Sequence, residues 1–108
     1  MTTAAELATR IGQKIAGRQD LLTSIGAVFK FVLEGDGGGT YLLDLKQNLS
    51  VVTGDGAASC TIRMGANDFV DLFEGRANAQ ALFFAGKLRV EGDMGLALKL
   101  QTLTDILK

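Results

Sequence analysis

The stretch ALFFAGKLRVEGDMGLALKLQ, residues 81–101, decides the fold. It opens with a compact apolar helix that Gly86 stops. Lys87 to Glu91 then alternates, with Leu88 and Val90 on one side and Lys87, Arg89 and Glu91 on the other, the period of a strand with one dry face. Asp93 is placed to cap a last helix over 94–108. Leu96, Leu100, Leu103 and Leu107 form one stripe along that helix, and Met94 and Leu98 fall on the opposite side. Leu82, Phe83 and Phe84 are consecutive and cannot all lie on one stripe either. The run carries more apolar surface than contact with a single sheet requires.

Upstream, Asn67 reads as an N-cap, Phe69, Leu72 and Phe73 as a helical stripe, and Gly75 as its stop. Asn78 caps the short helix that holds Leu82, Phe83 and Phe84. Further back the period is 2. Ala27, Phe29, Phe31 and Leu33 alternate with Val28, Lys30, Val32 and Glu34, and residues 35–39, GDGGG, turn the chain into a second strand over 40–46. That glycine run has neither the GxxxxGK[ST] nor the GxGxxG pattern and lies between strands, so it is a hairpin loop rather than a phosphate cradle. A third strand over 49–53 ends at Gly54-Asp55-Gly56, another hairpin signal, and a fourth over 59–64 sends Cys60, Ile62 and Met64 inward. At the start, residues 3–16 form a helix with Thr3 and Glu6 at capping-box spacing and Leu7, Ile11 and Ile15 on its inner face. Arg10 and Lys14 flank that stripe, either as a solvated rim or as the polar side of a helix that touches anionic membranes. Residues 19–24 are a connector or one further helical turn.

A chain of 108 residues is expected to be a single domain, 1–108, able to bury one core without disulfides or metals. The net charge of −1 gives no basic surface for nucleic acid. No apolar run is long enough to span a membrane, the N-terminus lacks the apolar centre of a secretory signal, and Asp105 to Lys108 is not an address tripeptide. With one cysteine, which cannot form an internal disulfide, the expected location is cytoplasmic.

The missing chemistry also restricts function. There is no histidine, so no Ser-His-Asp or Cys-His pair and no imidazole metal ligand can be built. Cys60 lies on the inward face of its strand with Ile62 and Met64 and reads as a buried structural thiol. Glu74, Glu91 and Asp93 sit at a helix end, on a strand's wet face and at an N-cap. No catalytic residue, metal site or cofactor is expected.

Five segments stand out together: LDLK at 43–46, SCTIRM at 59–64, DFVDLFEGRANAQALFF at 68–84 and GKLRVEGDMGLALKLQ at 86–101, with AVFKFVL at 27–33 upstream. In these segments the chain resembles the sterol carrier protein 2 (SCP2) family of lipid carriers. The resemblance implies an α+β fold: a five-stranded, mostly antiparallel sheet with helices layered on one face, enclosing a hydrophobic cavity. It further implies non-catalytic binding and transfer of a fatty acid, fatty acyl-CoA, sterol or other apolar lipid, without a cofactor. The candidate ligand-binding residues are Phe29, Phe31, Leu45, Cys60, Ile62 and Met64 from the sheet. From the helices come Phe69, Phe73, Leu82, Phe83, Met94 and Leu98. The expected partners are an apolar lipid, a membrane touched in passing, and a homodimer mate or an enzyme of lipid metabolism. Two alternatives use the same surface: an accessory protein that presents lipid intermediates to a biosynthetic complex, and an interaction module that docks through its apolar C-terminal helix.

Overall fold

The computed structural model describes residues 2–107. Five strands form one sheet in the order β3-β2-β1-β4-β5, with β1 at Val28–Glu34, β2 at Gly39–Asp44, β3 at Ser50–Thr53, β4 at Cys60–Gly65 and β5 at Leu88–Gly92. β1 pairs with β2, β2 with β3 and β4 with β5, all antiparallel; β1 and β4 run parallel. The sheet is therefore mostly antiparallel, as the sequence implied.

That one parallel pair corrects the reading of Gly54-Asp55-Gly56 as a hairpin. β3 and β4 are not neighbours. The chain leaves the β3 edge and crosses β2 and β1 before β4 begins. Residues on that crossing lie against the sheet's outer face: Asp55 pairs with the outward Lys30 at 2.8 Å, and Gly56 sits so close to the Leu42 side chain that an added Cβ would lie 2.7 Å from it. The crossover puts β4 in the sheet's interior, where its alternate residues Cys60, Ile62 and Met64 are buried. Two-residue turn signals report that the chain reverses and say nothing of which strand it meets next.

The helices cover the opposite face. α1 spans Ala4–Ala16 and is capped by Thr3, whose hydroxyl oxygen accepts from the Glu6 amide at 3.1 Å; Leu7, Ile11 and Ile15 are buried beneath it. α2 is one short turn, Gln19–Thr23. α3 spans Ala66–Phe73. Asn67 is not its cap: Gly65, still extended at the end of β4, takes that position with no side-chain cap bond, so strand passes into helix without a loop. α4 spans Ala79–Phe84, and here Asn78 does cap, its side chain accepting from the Ala81 amide.

The helix expected over 94–108 is two helices, with Lys108 outside the described residues. α5 covers Met94–Ala97 and α6 Leu100–Leu107. At the join the Lys99 amide donates to the Leu96 carbonyl three residues back, which tightens the turn and redirects the axis. α5 lies over β4 and β5, whereas α6 packs against α1, α3 and α4. One straight rod could not reach both surfaces. After the turn, Leu100, Leu103 and Leu107 are buried, Leu96 is half-buried and Leu98 is exposed.

The core lies between the sheet and α1, α3 and α6. Its centre is aromatic: Phe31 meets Phe69 and Phe73 with ring centroids at 5.3 and 5.9 Å, and Phe69 meets Phe73 at 5.0 Å. No helix among the described residues is long and apolar enough to cross a membrane.

Candidate functional site: an apolar cavity at the sheet edge

A cavity of about 310 Å³ opens at the β5 edge. α4 forms one wall, α5 and the start of α6 another, and Leu88 and Val90 of β5 the floor. Phe83, Phe84, Met94 and Leu98 form its rim. These four are the unpaired apolar surface noted in the sequence: Phe84 is 76% exposed and Leu98 83%, and Met94 and Phe83 are about half exposed. α5 has no buried residue, and the buried Leu100 and Leu103 belong to α6 beyond the turn; on α4 the neighbouring Leu82 is buried, so that helix is apolar on two faces with one covered. A helix of this kind is at rest only when its second face meets something other than water.

The lining includes polar residues. Asn78, Gln80 and Gln101 contribute side-chain amides there. Gln101 ties the two walls together: its Oε1 accepts from the Ala79 amide at 2.9 Å, and its Nε2 donates to Thr104 Oγ1 at 3.2 Å and to Asp105 Oδ1 at 3.1 Å. The Thr104 hydroxyl in turn donates to the Gln101 carbonyl, which satisfies the one fully buried polar side chain of the described core.

The candidate residues chosen from the sequence fall into two groups. Phe83, Met94 and Leu98 line the cavity. Phe29, Phe31, Leu45, Cys60, Ile62, Met64, Phe69 and Phe73 are buried in the centre of the core, and Leu82 is buried on the inner side of α4. Around Phe31, Phe69 and Phe73, beneath α1, the layers leave only about 10 Å³ of free space. The cavity also uses residues that periodicity did not single out. Ala97 and Gln101 face it across the α5–α6 turn, which no local signal announces. Leu88 and Val90 were read as inward strand residues, and Phe84 as one of three consecutive apolar residues; the cavity floor and rim are where they point.

Ionisable groups near the cavity are occupied with structure. Asp93 Oδ1 accepts from the Gly95 and Leu96 amides as the α5 cap. Glu91 pairs with Arg63 at 3.1 Å. Burial, with a smaller contribution from the Asp93 charge, pushes the Cys60 thiol above its ordinary value and keeps it protonated. On the far side, Glu74 lies between Arg10 at 2.8 Å and Arg76 at 2.9 Å; their hydrogen bonds, that of Arg10 first, hold its carboxyl below the usual range.

A five-stranded sheet with helices on one face and a largely apolar cavity at its β5 edge makes this an α+β domain. Comparison with known proteins gives that class its name. The model of the SCP-2 sterol transfer family matches residues 7–105, and the chain belongs to this family. It is 42% identical over 90 residues to human sterol carrier protein 2, an alignment that covers 79% of this chain and 16% of the human protein, so the chain spans about a sixth of the length of that relative. Among solved structures, sterol carrier protein 2 of Yarrowia lipolytica in its apo form superposes with a TM-score of 0.83 at 25% identity, covering 96% of this chain and 91% of that one. The sterol carrier protein-2 of Aedes aegypti in complex with the C16 fatty acid palmitate superposes with a TM-score of 0.74 at 25% identity over the whole of both chains.

Proposed function

We propose that this chain is a non-catalytic lipid carrier that holds one acyl chain or comparable apolar lipid in the cavity between α4, β5 and α5–α6. The observation that carries this reading is the uncovered apolar face of α4 and α5, which rims a space of about 310 Å³. That volume is at the lower end of the range of about 300–1,000 Å³ for small-molecule sites. The side-chain amides of Asn78 and Gln80 in the lining suit a carboxyl or ester oxygen, and the Aedes aegypti relative, which takes palmitate, supports an acyl ligand.

The energetics are sufficient. Burying a 16-carbon tail gains roughly 12 kcal/mol at about 0.8 kcal/mol per methylene. Association and ordering subtract roughly 4–15 kcal/mol. Micromolar binding is therefore within reach without a strong polar anchor, and chain-length selectivity is weak because one methylene changes little. The carboxylates nearest the cavity are spent on a cap and an ion pair, which supports carriage without a chemical step.

Native mass spectrometry of freshly purified protein, followed by organic extraction, tests the proposal. A discrete adduct of fatty-acid, phospholipid or isoprenoid mass is the expected result. A protein that carries nothing and takes up no palmitate from solution contradicts it.

A further inference from the structure

The walls of the cavity are held in place unequally. The floor, β5, is paired with β4 along its whole length, and α6 buries Leu100, Leu103, Thr104 and Leu107 while packing against α1, α3 and α4. α4 has six residues and buries only Ala79 and Leu82. Upstream the chain is fixed as far as Ala77, whose amide donates to the Asp71 carbonyl at 3.1 Å, and Arg76 is paired with Asp71 and Glu74. Downstream it turns into β5 at Gly86, where φ is +76°. Among the described residues, most hydrogen bonds of segment 78–86 stay local. The Ala81 and Leu82 amides donate to Asn78, that of Ala85 to Ala81, that of Gly86 to Phe83, and that of the adjoining Lys87 to Leu82. One bond leaves the segment. The Ala79 amide donates to Gln101 Oε1 at 2.9 Å, across 22 residues of chain. A helix cannot satisfy such a first-turn donor from its own backbone.

Gln101 is itself pinned. Its Nε2 donates to Thr104 Oγ1 and Asp105 Oδ1 on the following turn of α6, and the buried Thr104 hydroxyl donates to the Gln101 carbonyl. With its nitrogen anchored on α6, the amide presents its oxygen to α4. We propose that α4 is the gate of the cavity and Gln101 its latch, a positioning residue that sets how fast lipid enters and leaves, a role that rests on the carrier reading and adds to it the wall that moves. A wall seated by one leucine, one alanine and one side-chain hydrogen bond is the first to open. Exchange through such a gate runs at a rate set by its open fraction. Loss of the latch raises that fraction alike in empty and loaded protein, so loading and release quicken together and the affinity stays put.

Two substitutions remove the bond from opposite sides. Gln101→Leu deletes the acceptor. Ala79→Pro deletes the donor at the first helical position, where proline is at home, and Asn78 before it is already extended at φ −115° and ψ 133°. Loading and release of the fluorescent fatty acid cis-parinarate are followed by stopped flow. Each variant should quicken both rates roughly fivefold, the worth of one neutral hydrogen bond, with Kd unchanged within about twofold. The double variant should be no faster than either single one, because both remove the same bond. Hydrogen exchange at the Leu82 and Phe83 amides should rise by about the same factor, since so short a helix does not persist off its seat, while Leu103 in α6 keeps its protection. Unchanged rates in both single variants overturn the latch. So do effects that multiply to about 25-fold in the double variant, which would make the two residues independent. Faster release alone with weakened Kd also overturns it and makes Gln101 a ligand contact. A parent that takes up no cis-parinarate removes the carrier reading; hydrogen exchange then decides the latch by itself, and unchanged exchange at Leu82 in Ala79→Pro overturns it.

Discussion

Phe69→Ala separates a filled core from a ligand chamber beneath α1. Phe69 is 2% exposed, and its ring meets Phe31 at 5.3 Å and Phe73 at 5.0 Å. Only about 10 Å³ of free space adjoins it, so its neighbours have little slack to take up and the substitution leaves a real void. Truncating a buried phenylalanine costs about 3–5 kcal/mol. Two lost aromatic pairs, at about 0.5–1.5 kcal/mol each, place this site toward the upper end of that range. At a urea slope of about 1.5 kcal/mol/M the unfolding midpoint should fall by roughly 2–3 M. Far-UV circular dichroism is the suitable probe, since the chain has no tryptophan. A fall of this size with palmitate affinity kept in the remaining folded protein is the expected outcome. A midpoint that hardly moves, together with lost palmitate binding, would show that Phe69 faces a ligand and would refute the placement of the cavity.

Other perturbations probe the site and the frame around it. Val90→Trp projects an indole from the cavity floor and should lower palmitate affinity at least tenfold with a small change in stability; the new fluorophore, quenched or shifted by ligand, reports occupancy directly. Glu74→Gln removes a carboxyl held below its ordinary range by Arg10 and Arg76, so its contribution is present above that ordinary range and is lost as pH falls through the depressed native value. The parent should therefore unfold at higher urea than the variant at neutral pH, and the gap should narrow as pH falls below the usual carboxylate range; a gap independent of pH would contradict the ion-pair account. Cys60, buried and with its thiol pKa raised, should react with a thiol reagent only as fast as the protein opens, and at full speed in urea.

The sheet was legible in the sequence because alternation is a direct record of which side of a strand is dry. Phe29, Phe31 and Leu33 in β1 and Cys60, Ile62 and Met64 in β4 are buried as their period requires. Strand order was not legible from the glycine turns, since Gly54 and Gly56 look alike whether the chain folds back or crosses the sheet. The α5–α6 break was invisible for a related reason. Leu96, Leu100, Leu103 and Leu107 keep helical spacing through it, and the turn at Leu98 and Lys99 is imposed by two packing surfaces distant in sequence. The location of the cavity was half legible. The surplus apolar surface read on residues 82–84, 94 and 98 corresponds to the exposed Phe83, Phe84, Met94 and Leu98, whereas Leu82 is buried. Burial alone cannot tell a lining residue from a core residue, which is why Phe31, Phe69 and Phe73 were selected together with Phe83, Met94 and Leu98.

The central claim is the position of the lipid, and a palmitate titration followed by amide NMR tests it most directly. The account predicts saturable shifts concentrated at Ala79, Phe83, Val90, Met94, Leu98 and Gln101, with small changes at Phe31, Tyr41 and Phe69 beneath α1. Shifts centred on that aromatic cluster, or no saturable shift at all, would contradict it.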